Sequence, residues 1–545
     1  MSPSPGGRLS LAPGLARPRA TRAFSIALRA TWSAAAAAGP ILGWAALAIL
    51  LGALVGLSAI MLPPAAAFAI PGIAGLALLW ALPELRAVPA RSVRVLFYVV
   101  LVVDLCAPAY YAIAGTGLPW ISARRVVAFP LILCIALVIG GSPAASDKIV
   151  QRLAAARSIS ICLIGFLGML SLSIFTSSIP PESVSYLTNA VLTWYVPLVA
   201  IIYLINKQKD IDIFIKIIAW CTVFISICGL IQFIVQHNFF LDLLPAPILD
   251  ALMENNPTFQ TMATVDQFRY GEYRAPSVFE NSLSFGQFEA MIVPFGYYLL
   301  VHRPRAGDRL LGLLVVASAF LGVATSGARG AYISILVATP AFVALWSIRR
   351  TRFERRSLAP ALISTTGAMS LAAVMVLIFT WTKLYRRVIG GTYLEDASAN
   401  GRVEQWNAAL PHILDNPLTG HGAGNGAEIV GVFNPGYTFP TLDSMLISML
   451  VETGVPGFVF FFGSVLCAIV LGARKYVLDP SDRGAFAGGL SCSLIAFLVY
   501  AVVLSQIENF TLLFLFLGLT VAVLSLDPKP DDLNGADKRS LGGAR

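Results

Sequence analysis

The stretch Ala485–Leu504, AFAGGLSCSLIAFLVYAVVL, runs for twenty residues without one Asp, Glu, Lys or Arg. Coiled as a helix it is about 30 Å long, the thickness of the hydrocarbon core of a bilayer. Just beyond it Leu512–Leu526, LLFLFLGLTVAVLSL, repeats the pattern, and toward the N-terminus runs of the same kind recur as far back as Ile41. They number about fourteen. Composition agrees: of 545 residues, 57% are AVILMFWYC and 12% are charged, where a soluble domain carries about 25% charged residues. The fold class is an all-α polytopic membrane protein of about fourteen transmembrane helices, and a water-soluble enzyme is excluded.

The net charge of +9 raises nucleic acid as a partner, and the placement of the charges decides against it. With both termini inside, 28 of the 38 Lys and Arg fall in inner segments and nine in outer ones, as the positive-inside rule requires. Arg124 and Arg125 run against the trend. The first 39 residues carry five arginines ahead of a full-length apolar run, so that run reads as a retained span and not as a cleaved signal. The seven cysteines all fall within spans and are odd in number, which suits buried free thiols. The organisation that follows is a cytoplasmic segment 1–39, an N-terminal bundle 40–235, an outer loop 236–282, and central helices 283–381. A larger outer loop 382–442 with an amphipathic helix, C-terminal helices 443–526 and a cytoplasmic tail 527–545 complete it. Two long loops on one face, carrying Trp, Gly, Pro and paired charges, put the candidate chemistry on that face.

Within a short outer turn, TSGARG, Arg329 lies near the membrane boundary among small residues. A guanidinium at that depth needs an anion, and its planar fork fits a phosphate; snorkelling to lipid head groups is the plainer alternative. In the larger loop Val403, Trp406, Ala409, Leu410 and Ile413 fall at helical spacing, which predicts a helix beginning near Gly401 with Arg402 in its first turn. Asn416-Pro417 and the glycines Gly420, Gly422, Gly424 and Gly426 follow. Their amides could cradle phosphate oxygens, although a flexible loop explains such a run equally well. Where the loop re-enters the membrane stands Asp443, which also suits an N-cap. Glu452 follows nine residues later, before a break at Gly454, Val455 and Pro456. That spacing turns the two acids to opposite sides of a helix, so Glu452 reads as structural. In the first long loop Arg274, Glu280 and Asn281 precede a span that holds Glu289. Arg274 could join a phosphate clamp or pair with Glu272 or Glu280. Intramembrane acids at Asp104 and Glu289 give thin support for proton coupling. Asp210-Ile211-Asp212 resembles a metal-binding DxD but falls on the inner face, and the four histidines show no ligand spacing, so no metal site is indicated.

Three pieces together resemble the O-antigen polymerase and ligase family of bacterial membrane glycosyltransferases. They are the [ST]-G-x-R-like turn at Ser326–Arg329, the G-R-x-x-x-W helix with N-P-x-x-G-x-G at Gly401–Gly422, and D-S-x-x-L-x-x-x-x-E-x-G-x-x-G at Asp443–Gly457. The resemblance spans roughly the C-terminal half and extends to Arg274–Asn281. It implies a GT-C-like architecture in the inner membrane, two long periplasmic loops, and inverting transfer of a glycan from a polyprenyl-diphosphate-linked donor to an acceptor glycan hydroxyl. No metal and no other cofactor is expected, and a chain-length regulator joins donor, acceptor and membrane lipid as a partner.

For that chemistry the catalytic residues read as Arg329 and Arg402 on the leaving diphosphate and Asp443 as base. Arg274, Glu280, Asn281, Glu404, Trp406, Gly422 and Gly424 read as substrate-binding. Glu404, Glu395, Asp396 and Glu280 are reserve bases. Asp443 stands where ligases of this family usually show histidine, which favours a polymerase. A ligase with another acceptor, and a flippase of similar span count, are the alternatives.

Overall fold

A computed structural model describes residues 90–108, 110–115, 118–255, 259–260, 268–269, 272–353, 367, 393–433, 439–505 and 507–526. All belong to one compact unit, 86–545. The expected spans Ile41–Ile60, Ala65–Leu82 and Leu358–Trp381 and the two terminal segments lie outside these residues. The described chain is helical apart from two short antiparallel hairpins, Ala112–Gly115 with Leu118–Ser122 and Phe268–Arg269 with Glu272–Tyr273. The long helices are α1 (Ala90–Cys106), α2 (Ala123–Gly141), α3 (Pro143–Ala155), α4 (Arg157–Ser173), α5 (Pro180–Leu204) and α6 (Gln208–Val235). They continue as α7 (Ser282–His302), α8 (Ala306–Ser326), α9 (Arg329–Phe353), α10 (Tyr393–Asp415), α11 (Met445–Leu478), α12 (Asp482–Val503) and α13 (Phe510–Leu524). Among the described residues nine helical segments are long and apolar enough to cross a membrane.

Two expectations change. The apolar run Val95–Ala114, long enough to be expected as one span, ends as a helix at Cys106 and enters the first hairpin, because Pro108 has no amide to extend the helix. The amphipathic helix α10 begins at Tyr393 and not at Gly401. The seven cysteines are free.

Helices α12 and α13 form the centre of the bundle. α7 packs against α8, α9 and α12, and α11 packs against α4 and α12. The α7–α8 crossing is set by glycines: a Cβ on Gly312 would lie 2.8 Å from the Gly296 carbonyl oxygen. With no hydrophobic drive between helices in lipid, this approach of backbone to backbone supplies the packing energy. Beside it Glu289, fully buried, accepts a hydrogen bond from Ser226 Oγ at 2.6 Å and occupies the space that Gly322 leaves open.

One end of the bundle is knit by cations. Arg349 donates to the carbonyls of Asp479 and Ser481, His302 bonds the Tyr476 hydroxyl at 2.8 Å, and Arg303 pairs with Asp212 and Asp482. Asp210 accepts from the amides of Asn206 and Lys207 and pairs with Arg94. Both acids of the DxD are therefore engaged in helix capping and ion pairs. Replacing Gly312 by Val should force α7 and α8 apart at a cost of about 1–3 kcal/mol. A lower melting temperature in detergent with a retained monodisperse peak would show it; an unchanged melt would contradict the crossing.

Candidate functional site

At the other end of the bundle the loops return. After the second hairpin the chain crosses the α8–α9 turn: Arg274 Nε donates to the Ser326 carbonyl at 3.0 Å, and the Ala275 amide donates to Thr325 at 3.1 Å. Gly327 has φ +62°, and a Cβ there would lie 3.3 Å from Arg274 Nε. Arg274 thus lies across the turn whose next helix opens with Arg329. Ser277 follows with φ +55°, a conformation that costs a non-glycine residue about 1–2 kcal/mol. The buried side chain of Gln232 holds it there. Gln232 Oε1 accepts from the Ser277 amide at 2.7 Å, and Nε2 donates to the Ser277 carbonyl at 3.0 Å.

Asn281 proves to be the cap of α7, accepting from the amides of Leu283 and Ser284. Glu280 is open to solvent at its surface yet walled by protein, and this desolvation raises its carboxyl above the usual glutamate range against the pull of Arg124.

A second glutamine pins the larger loop. Gln405, fully buried on α10 one turn after Arg402, donates from Nε2 to the Thr441 carbonyl and accepts at Oε1 from the Asp443 amide, both at 3.1 Å. The position of Asp443 is therefore tied to the helix that carries Arg402. Asp443 is not the N-cap of α11; that place belongs to Ser444. Glu404 and Trp406 are turned out of this contact and are exposed. Glu395 and Asp396 lie in α10 where side chains are outside the described residues.

The glycine run has another partner than phosphate. In α11 Gly454 leaves the helix with φ +68° and ψ −177°. Pro456 has no amide to reach the Glu452 carbonyl. The break thus orphans the carbonyls of Val451 and Glu452 and the amide of Val455. The loop satisfies each: His421 N–H donates to Val451 O at 2.8 Å, Gly422 N–H to Glu452 O at 3.2 Å, and Val455 N–H to Pro417 O at 2.7 Å. Gly424 N–H donates to the Glu452 carboxylate at 3.0 Å, and Ser448 Oγ donates to it at 2.8 Å. A Cβ on Gly420 would lie 2.4 Å from the Glu452 carbonyl carbon. The amides of Gly422 and Gly424, read as substrate-binding, are engaged inside the protein, and glycine is required for close approach. Glu452 is structural, as its phase on the helix suggested.

Tyr500, Ser505, Glu508 and Asn509, which no motif singles out, join these parts. Tyr500 packs its ring on Gly330 beside Arg329 and donates to the Leu283 carbonyl at 2.6 Å. The Ser505 amide donates to the Asp443 carbonyl, and Ser444 Oγ donates to Val502 O. Glu508 accepts from the Glu280 amide with both oxygens, at 3.2 and 3.3 Å, and pairs with Arg124 at 3.7 Å. Asn509 donates to Ser284 O and Gln287 Oε1. The available signal was Glu508-Asn509, a polar pair set between two apolar runs.

Residues 312–462 match a family model described as O-antigen ligase. The match begins in α8 and ends in α11, and so holds Arg329, Arg402, Asp443 and Glu452 but not Arg274, Glu280 or Asn281. No curated protein matches the chain. The match covers 151 of the 545 residues, and over that stretch the chain is similar to the O-antigen ligase family.

Replacing Gln405 by Leu leaves the Thr441 carbonyl and the Asp443 amide without partners, at about 1–3 kcal/mol. Hydrogen exchange of the amides at 441–444 should quicken while those of α12 and α13 stay slow. Equal protection in wild type and variant would refute the clamp.

Proposed function

We propose that this protein polymerises a polysaccharide by inverting, metal-independent transfer of a glycan from a polyprenyl-diphosphate carrier to a hydroxyl of a lipid-linked acceptor glycan. The observation that carries the reading is the convergence at one end of the bundle. The segments bearing Arg274, Arg329 and Asp443 all contact residues 500–509 or the turn beside them, and Gln405 ties the Arg402 helix to Asp443. The other end gathers Arg94, Lys148, Arg152, Arg303, Arg349 and Lys475. The positive-inside rule favours the cytoplasm for that end and the periplasm for the site, in a bacterial inner membrane.

In this reading the bond from the anomeric carbon to the diphosphate breaks as the acceptor oxygen attacks from the opposite side. Charge develops on the departing diphosphate, and fixed guanidinium groups stabilise it. Arg329 and Arg402 take this role, with Arg274 across the same turn as Arg329. The acceptor hydroxyl loses its proton to the Asp443 carboxylate. A carboxylate where the family's ligases carry histidine is what favours a polymerase over transfer to lipid A core or to protein.

Purified protein with a short polyprenyl-diphosphate oligosaccharide as sole substrate, in EDTA and without nucleotide, should give a ladder of longer lipid-linked chains on a gel. No ladder with substrate from the native pathway would overturn polymerisation. Asp443→Asn should lower turnover by about 10²–10⁴-fold. Arg329→Ala and Arg402→Ala should each lower it by about 10²–10³-fold, measured on protein that elutes as wild type. Near-normal turnover of Asp443→Asn would move the base to Glu404.

A further inference from the structure

Among the described residues, helix α10 has two apolar stripes, one buried against the protein and the other largely exposed. Ala409 and Ile413 are buried against Val430, Ile447 and Val451. The other stripe, Val403, Trp406, Leu410 and Leu414, is 59%, 43%, 42% and 69% exposed and covers an arc of about 80° of the helix. Leu418, 69% exposed, continues it past the helix end. The polar residues Glu404, Asn407 and Asp415 are exposed on the far side. The helix thus has a protein face, an uncovered apolar flank next to it, and a polar face beyond.

What the flank adjoins identifies its occupant. Leu418 lies against the break in α11, where a Cβ on Gly454 would be 2.7 Å from the Leu418 carbonyl carbon and Val455 bonds Pro417. From Val455 an exposed apolar stripe runs down α11 through Val459, Leu466 and Val470, along a helix long and apolar enough to cross a membrane. Exposed apolar side chains along such a helix suit acyl chains. The two stripes approach each other where Pro417 and Leu418 meet Gly454 and Val455. A helix with a charged face and a Trp/Leu face is the form that lies in a membrane interface, and Trp is enriched at that depth.

We propose that α10 is an interfacial helix whose Val403–Leu414 flank is embedded in bilayer phospholipid. Its occupant is the membrane itself, so this inference stands whether or not glycan transfer is the reaction. Arg402, one residue before the flank, then lies at the depth of lipid phosphates.

The test places the photo-reactive amino acid benzoylphenylalanine singly at Leu410, Leu414 and Glu404 of the full chain, with Val459 as a lipid-facing reference. Each protein is reconstituted in nanodiscs of phosphatidylethanolamine and phosphatidylglycerol, irradiated and analysed by mass spectrometry. Phospholipid adducts at Leu410 and Leu414 in yields near that at Val459, and several-fold above Glu404, are expected. Yields at Leu410 and Leu414 no higher than at Glu404 would overturn the proposal. So would cross-links from these positions to a second copy of the chain. All positions tested are exposed, so the label does not disturb the packed core, and the Val459 adduct reports a correctly inserted bundle.

Discussion

A helix interrupted within an apolar environment must find partners for the peptide groups it releases, because each group left unpaired there costs several kcal/mol. In α11 the interruption at Gly454 and Pro456 releases two carbonyls and an amide, and the loop Pro417–Gly424 supplies a partner for every one. The rest of the site end depends on this repair. It fixes where the loop lies, hence where α10 ends, and hence where the residues on α10 can be. It also explains why Glu452 sits buried beneath the loop, with Gly424 and Ser448 donating to it. The glycines are small because the backbone of α11 is in the way.

Two loops bring the candidate site residues to one end of the bundle, and each is fastened by the amide of a buried glutamine. Gln232 bonds both backbone polar atoms of Ser277, and Gln405 bonds the Thr441 carbonyl and the Asp443 amide. A side-chain amide holds one donor and one acceptor close together, so it can satisfy an amide and a carbonyl of one loop segment at once. Where the loops have no sheet to join, the helices offer a single peptide-like group in its place. The energetic stake is the burial of loop amides and carbonyls that would otherwise lack partners. The stiffness gained is local, and it falls on the segments that carry Glu280 and Asp443.

Much of this was legible in the residues. Apolar runs gave most of the spans, the distribution of Lys and Arg separated the two ends, and loop length drew attention to residues 272–281 and 401–443. The break at Gly454-Val455-Pro456 and the structural part of Glu452 could be read from chain chemistry. What was not legible depends on contacts between distant segments. Nothing in the spacing of Gly420, Gly422 and Gly424 tells that their partner is a broken helix and not an anion. Gln405 carries no motif; its clamp exists only once Thr441 and Asp443 are beside it. Tyr500, Ser505, Glu508 and Asn509 are isolated polar residues around a short turn, and only the fold joins them to Gly330, Asp443, Glu280 and Ser284. The run ending at Ala114 was hydrophobic enough to continue as a span, and a single proline stopped it.

The repaired break in α11 also governs how this chain can change in length. From Pro417 to Gly424 the backbone acts as a splint whose atoms are in register with those of residues 451–455. One residue inserted or removed there would shift every partner at once, and no side-chain replacement restores a lost register. The spacing from the end of α10 to Gly426 is therefore held by backbone geometry and not by side-chain chemistry.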